Sequence, residues 1–460
     1  MNKKALLLTA AFLSACIITA LLFFSLNSFH YQRALGFQVL PDGNILVTDG
    51  GGALWTNTGS KVFIINKKGK VLWKYEKGIS FAHSAVMRQN GNILIPDTNN
   101  DRLIEVNKAG EIIFSSENWN NGTGLYSDGT KMDYPNFVME TPEGNLLISS
   151  RYSSSVIESD WQGNTVWVYK KLRLQHAPVR LENGNTLISD SDGNRIIEVD
   201  RKGKTVWEYK NGLNWPRHAR RLKSGNTLIA DSNNNRVLEV APDGKTVFEF
   251  GKGVLAWPYQ ADELESGNIL IADAQRGKLI EVDRQGNVVW KFQRSNELLM
   301  WLKLPSKVKN GGAEQLNAKG LPKHWYVCDL VSPEGGTWSA DKNIKFSGDV
   351  SFRIDGVGGE GQNRFWGQYL KVKKGAKSVV LSCMIRTKDV KEGAGMSINF
   401  VNRDRGLRGG VNSRIFKGGS EWTEIIITSP VPENAAVIGI VLSLVGPGTA
   451  WWDDVRLSYK

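Results

Sequence analysis

Only five histidines occur in the 460 residues, and three of them, His83, His176 and His218, fall at related positions of an internal repeat. Counting back eight residues from each of six Gly-Asn pairs gives Leu35, His83, Asn136, His176, Arg217 and Tyr259, with His218 one place further on. Imidazole is nucleophilic at neutral pH, and guanidinium presents a planar fork matched to the paired oxygens of a sulfate or carboxylate. Arg88, Arg180, Arg217, Arg220 and Arg221 lie close in sequence to these histidines. The candidate chemistry is attack by an imidazole on a group whose oxyanion is held by arginine, with Arg180, Arg217 and Arg221 as the anion contacts. The competing reading is structural: polar residues that close the top of each repeat.

The repeat itself is legible from the Gly-Asn pairs at Gly43, Gly91, Gly144, Gly184, Gly225 and Gly267, spaced by 48, 53, 40, 41 and 42 residues. Each is followed by an apolar run such as "LIAD", then a second such as "RVLEV", a Gly turn, and a third such as "KTVFEF". Short runs rich in Val, Ile, Leu and aromatics between Gly, Asn and Asp turns indicate strands. Four strands in about 42 residues is the size of one propeller blade, and one blade cannot bury its own faces. A six-bladed β-propeller is expected over residues 32–293. The aspartates that end the second strand, Asp49, Asp97, Asp190, Asp231 and Asp273 (Ser150 in the third copy), recur too regularly for catalysis. They are expected to brace the blades, with Arg102, Arg195 and Arg236 as partners. Tyr134, Trp215 and Trp257 each precede a proline just before the varying polar position. With Asn136 and Tyr259 they form a candidate ligand-binding mouth, although packing between blades is the commoner use of such rings.

The stretch "LIADSNNNRVLEVAPDGK" resembles an NHL repeat, and the fuller unit resembles the propeller of bacterial arylsulfotransferase-type proteins. That second resemblance implies a channel histidine that accepts a sulfuryl group covalently, with His83, His176 and His218 as candidates. The chain departs from that type in lacking a separate N-terminal β domain before the propeller.

After "NVVWKF" the pattern breaks, and residues 294–305 form a linker containing "NELLMWLKL". Alternating strands without helices over residues 306–460 predict a β-sandwich. Its "NGGAEQ" start and "WWDDV" end resemble the jelly-roll carbohydrate-binding modules of secreted glycoside hydrolases, with Ala313 where those carry an aromatic. The resemblance implies a structural Ca2+ held by Glu314 and Asp454, with Asp453 as a further ligand. Glycan contact is expected from Trp338, Trp366, Trp422, Gln362, Asn363 and Arg364, and core packing from Trp325, Trp451 and Trp452. Cys328 and Cys383 are either paired or free, since their spacing matches no motif.

The first residues set the compartment. Lys3 and Lys4 precede the uncharged run Ala5–Leu26, which as a helix spans about 33 Å, enough to cross a bilayer core. An uncleaved signal anchor over residues 1–27 is expected, with the bulk of the chain extracytoplasmic. A lipoprotein modified at Cys16 is second and a removed signal peptide third. The net charge of +12 is spread without a basic run, so nucleic acid is not indicated, and an anionic membrane or envelope polymer suits it better. The fold class is therefore all-β: propeller plus β-sandwich behind an N-terminal transmembrane helix. Two functions follow: an exported ligand-binding protein, or an arylsulfotransferase-like enzyme acting on an aryl or sulfated small molecule. A glycosidase is weaker, because no carboxylate pair stands out from the repeat.

Overall fold

The computed structural model describes residues 33–51, 59–293, 304–317, 320–329, 336–357, 363–402 and 407–460. The expected anchor over residues 1–27, Cys16 within it, and most of the 294–305 linker lie outside these. Among the described residues no helix is long and apolar enough to cross a membrane.

Six four-stranded antiparallel sheets follow one another, each with its strands in chain order. The fifth is representative: Pro216–Arg221 innermost, then Thr227–Asp231, Arg236–Val240 and Thr246–Phe250. The turn between its two inner strands puts Gly225 at φ 86°, a conformation that a Cβ disfavours. In five of the six blades the asparagine beside the equivalent glycine reaches to a glutamate on the third strand; in the first, Asn44 bonds Asp42 instead. Asn92, Asn145, Asn185, Asn226 and Asn268 donate to Glu105, Glu158, Glu198, Glu239 and Glu281 at 2.7–3.0 Å. The expected aspartate braces are present as well. Asp231 Oδ1 accepts from Asn214 N (2.8 Å) and its Oδ2 from Arg236 Nε (2.8 Å), and Asp97 and Asp190 do the same with Arg102 and Arg195. In the third blade Ser150 Oγ substitutes by accepting from Asp133 N at 2.9 Å.

Among the described residues each blade draws its four strands from one continuous stretch of chain, so side chains seal the ring. Gln260 of the last blade bonds the main chain of Phe37 in the first, accepting its N–H (3.0 Å) and donating to its carbonyl (2.8 Å). One apolar cluster spans the same seam, with Phe37, Val47 and Phe63 packed against Leu270, Leu279 and Phe292. Outer-strand tryptophans act as struts: Trp73, Trp167, Trp207 and Trp290 donate to carbonyls of Lys108, Arg201, Pro242 and Lys67 on the following blade. The last of these joins the sixth blade to the first.

The C-terminal part differs from the expected sandwich. It is one nine-stranded sheet that curves until it is nearly closed. Ser378–Asn402 is a single 25-residue strand. Its first half pairs with Gly448–Tyr459 and its second half with Ala435–Val445, with irregular register through residues 385–394. Alternating apolar residues reveal which face is buried, but not that a strand continues around the corner. Trp325, Trp452 and Trp366 all lie in the enclosed core. Cys383 is a buried free thiol beside Met396, which excludes its pairing with Cys328.

Candidate functional site

All six positions that vary within the repeat meet at one place. Leu35, His83, Asn136, His176, Arg217 and Tyr259, one from each blade, line a single small cavity, joined by His218 and Gln260. The ring geometry produces this: each stands at the start of an innermost strand, and six such starts converge on the axis. The rings pack closely, with His83 5.8 Å from His176 and Tyr259 5.6 Å from His176 between centroids. The space left is about 10 Å³, room for about one water.

Arg217 dominates the electrostatics. It is buried, and no carboxylate pairs with it among the described residues. Its Nη1 donates to His176 Nε2 (2.5 Å) and to the Tyr259 hydroxyl, while its Nε has no partner. The guanidinium lies over three rings, 4.1 Å from Trp215, 4.6 Å from Trp257 and 4.5 Å from Tyr259. These contacts offset only part of the desolvation, and burial lowers the Arg217 pKa to about 10, so the charge persists at neutral pH.

The histidines take their state from this surrounding. Thr98 Oγ1 spends its single hydrogen on the Pro135 carbonyl (2.7 Å), so it accepts from His83 Nδ1–H (2.9 Å). That fixes the tautomer and leaves the His83 lone pair on Nε2. His176 Nε2 accepts from Arg217, a donor-only group. Burial first, then the positive field of Arg217 and Arg151, hold both imidazoles well below their ordinary pKa of 6.5. Burial drops His218 to about 4, a fall that the Asp262 charge and the Ala261 backbone only partly offset. All three are neutral at pH 7.

The aromatic rim is held under strain. Tyr134, Trp215 and Trp257 have φ of 55°, 57° and 67°, in the left-handed region that bulky residues avoid. Each is pinned by the preceding blade: Asp101, Asn194 and Asn235 accept the three backbone N–H groups at 2.8 Å.

Two of the expected anion contacts are engaged elsewhere. Arg180 pairs with Glu158 (2.5 Å) and Arg221 with Glu198 (2.7 Å), their guanidiniums over the Trp167 and Trp207 struts. Arg88 and Arg220 pair with Glu105 and Asp262. Arg151 was not expected. It is buried, donates to the Leu174 carbonyl (2.8 Å) and lies 5.7 Å from the Trp215 ring. It follows Ser150, in the one copy where the repeat's aspartate is replaced.

In the C-terminal sheet, Trp366 and Arg364 are fully buried, which removes them from a glycan-facing surface. Trp338 and Trp422 are part-exposed, Gln362 lies outside the described residues, and Asn363 is placed by its backbone only. Asp454 pairs with Arg456 (2.6 Å). The carboxylate that turns toward Glu314 is instead Asp453: its Oδ1 and Glu314 Oε1 each lie 3.5 Å from the Cβ position of Gly312. Burial, with the Glu314 charge contributing, raises the Asp453 pKa. Asp453 accepts from the Phe346, Ser347 and Asp454 backbone N–H groups and Glu314 from that of Asp349, and among the described residues no group of three or more His, Cys, Asp or Glu side chains is placed to hold a metal ion.

No protein-family profile matches the chain, and no curated protein matches it significantly. Solved structures do resemble it. Virginiamycin B lyase from Staphylococcus aureus is 12% identical with TM-score 0.42, over 57% of this chain and 84% of that one. A protein of unknown function from Bacteroides caccae is 20% identical with TM-score 0.42, over 54% and 93%. The WD40 β-propeller domain of Doa1 is 12% identical with TM-score 0.43, over 58% and 84%. These likenesses are too distant to bear on function, and the propeller assignment rests on this chain's own six sheets.

Proposed function

We propose that this is a membrane-anchored, extracytoplasmic ligand-binding protein whose propeller centre receives an anionic ligand and whose C-terminal sheet contacts glycans or cell-envelope polymers. One observation carries the propeller half: a buried guanidinium, Arg217, without a carboxylate. An uncompensated buried charge is costly, and an incoming anion would supply the missing partner once the Tyr134, Trp215 and Trp257 rim moves aside, since the closed centre holds only about 10 Å³. The strained rim of Tyr134, Trp215 and Trp257 suits an aromatic or sugar body attached to that anion. Residues 5–26 provide the tether, with Cys16 lipidation as the second route.

A second reading is sulfuryl transfer, favoured by the His83 tautomer. His83 Nε2 would attack the sulfur of an aryl sulfate as the sulfur–oxygen bond breaks, and the phenolate would leave with the bonding pair. A second phenol would then attack that sulfur, losing its proton and freeing the imidazole.

Titration calorimetry with 4-nitrophenyl sulfate tests the first reading, and release of nitrophenol in the presence of phenol tests the second. Binding should weaken about 100-fold in Arg217→Met, the loss expected for one desolvated charge-assisted contact. Turnover abolished by His83→Ala supports transfer. Binding of the wild type and Arg217→Met with equal affinity contradicts the anion site.

A further inference from the structure

Away from the propeller, a depression of about 420 Å³ lies on the outer face of the C-terminal sheet. Strand register builds its floor. Arg353 stands opposite Trp451, and Trp451 opposite Arg386; one step along, Asp355 stands opposite Thr449, and Thr449 opposite Lys388. Residues two apart share a face, so these two rows lie side by side on the surface opposite Phe352, Ile354 and Trp452 in the core.

The floor is pre-organised. Trp451 is buried and donates its indole N–H to Asp341 (2.8 Å), and Arg353 lies over that indole at 5.4 Å. Arg353 is clamped between Asp341 (3.0 Å) and Asp355 (2.8 Å). Asp355 Oδ1 takes Arg353 and the Thr449 hydroxyl (2.9 Å), whereas Oδ2 has only a long contact from Thr337 (3.3 Å). At the far wall Lys388 is exposed without an ion-pair partner among the described residues, and Asp389 beside it is held at φ 55°. Gly448 permits that turn, since a Cβ there would stand 2.6 Å from the Val390 Cα.

We infer that this cleft is a saccharide site, with Asp355 Oδ2 accepting from one ring hydroxyl and Lys388 donating to others. The inference rests on the glycan-contact reading of the C-terminal sheet and assigns the contact to a surface other than that of Trp338 and Trp422. Acceptor and donor stand two strand spacings apart, about 10 Å, the span of one to two sugar rings. Arg353 is paired with both Asp341 and Asp355, and Lys388 stands beside Asp389, so the cleft carries no net positive charge, which selects a neutral polyol over a polyanion. The exposed face of the clamped guanidinium offers a flat surface for a sugar ring, as aromatic platforms do elsewhere.

The test is binding of the full chain in detergent to an array of neutral and uronate-containing oligosaccharides, followed by calorimetry on the best neutral ligand. Affinity should fall at least 10-fold in Asp355→Asn and in Lys388→Ala, and stay within 2-fold in Trp422→Ala and in Ile426→Ala, a change at an exposed residue of the same sheet. Loss in Trp422→Ala with Asp355→Asn unaffected would overturn this cleft while leaving the glycan reading standing. Absence of binding to any array member would overturn both. Unchanged unfolding temperatures across the variants keep a lost contact distinct from a lost fold.

Discussion

Arg180→Met is expected to cost about 3 kcal/mol of folding stability and Arg217→Met to cost none, although both remove a buried arginine. Arg180 is the partner of buried Glu158, with further bonds to Thr186 Oγ1 (2.5 Å) and the Gly184 carbonyl (3.0 Å). Deleting it leaves a buried carboxylate short of one cation. Arg201, also on Glu158, keeps the cost at the low end of the range for a broken buried pair. Arg217 has no such acid to abandon. Its removal relieves a desolvated charge and gives up bonds to His176 and Tyr259, two opposing effects of similar size. A residue whose replacement spares stability but removes binding is one retained for function. Urea unfolding at pH 7 measures both, and equal destabilisation would assign Arg217 to the scaffold.

The contribution of His218 to stability is expected to fall as pH drops from about 6.5 towards 4.5. Asp273, whose carboxyl burial raises to about 7, works in the opposite sense, so the two are separated by comparing the wild type with His218→Phe. His218 has a folded pKa of about 4 against an ordinary 6.5. Below 6.5 the unfolded chain therefore takes up a proton that the native chain refuses. Protons bound by the unfolded state favour unfolding, so this contribution is full above pH 6.5 and declines below it. Over the whole interval this one residue accounts for about 3 kcal/mol, and His83 and His176 act in the same direction. In His218→Phe the decline between pH 7 and 4.5 should shrink by about 2–3 kcal/mol. An unaltered slope would mean that His218 reaches solvent or a proton acceptor.

The propeller was legible because its signal is redundant. Six Gly-Asn turns, the aspartate braces with Arg102, Arg195 and Arg236, and the third-strand glutamates all report one blade, so no single position decides the assignment. The convergence of Leu35, His83, Asn136, His176, Arg217 and Tyr259 follows from the same repeat, since equivalent positions of a closed ring must meet at its axis. Sequence proximity served less well. Arg180 and Arg221 lie within a few residues of a channel histidine, yet strand alternation turns them to the blade seams, where Glu158 and Glu198 wait. Arg151 was hidden because it follows a second strand instead of opening a first. In the C-terminal part no repeat amplifies the signal, and period-two alternation identifies buried faces without identifying sheets. The bend within Ser378–Asn402 and the inward turn of Trp366 therefore had no counterpart in the pattern.

The central claim is that an anion completes the propeller centre at Arg217. A crystal of the chain soaked in selenate, measured at the selenium absorption edge, addresses it directly. The anomalous peak is predicted within hydrogen-bonding reach of the Arg217 guanidinium and His83 Nε2, and absent from Arg217→Met crystals. An empty centre with Arg217 bonded to a carboxylate, or a selenate peak that persists in the variant, would contradict it.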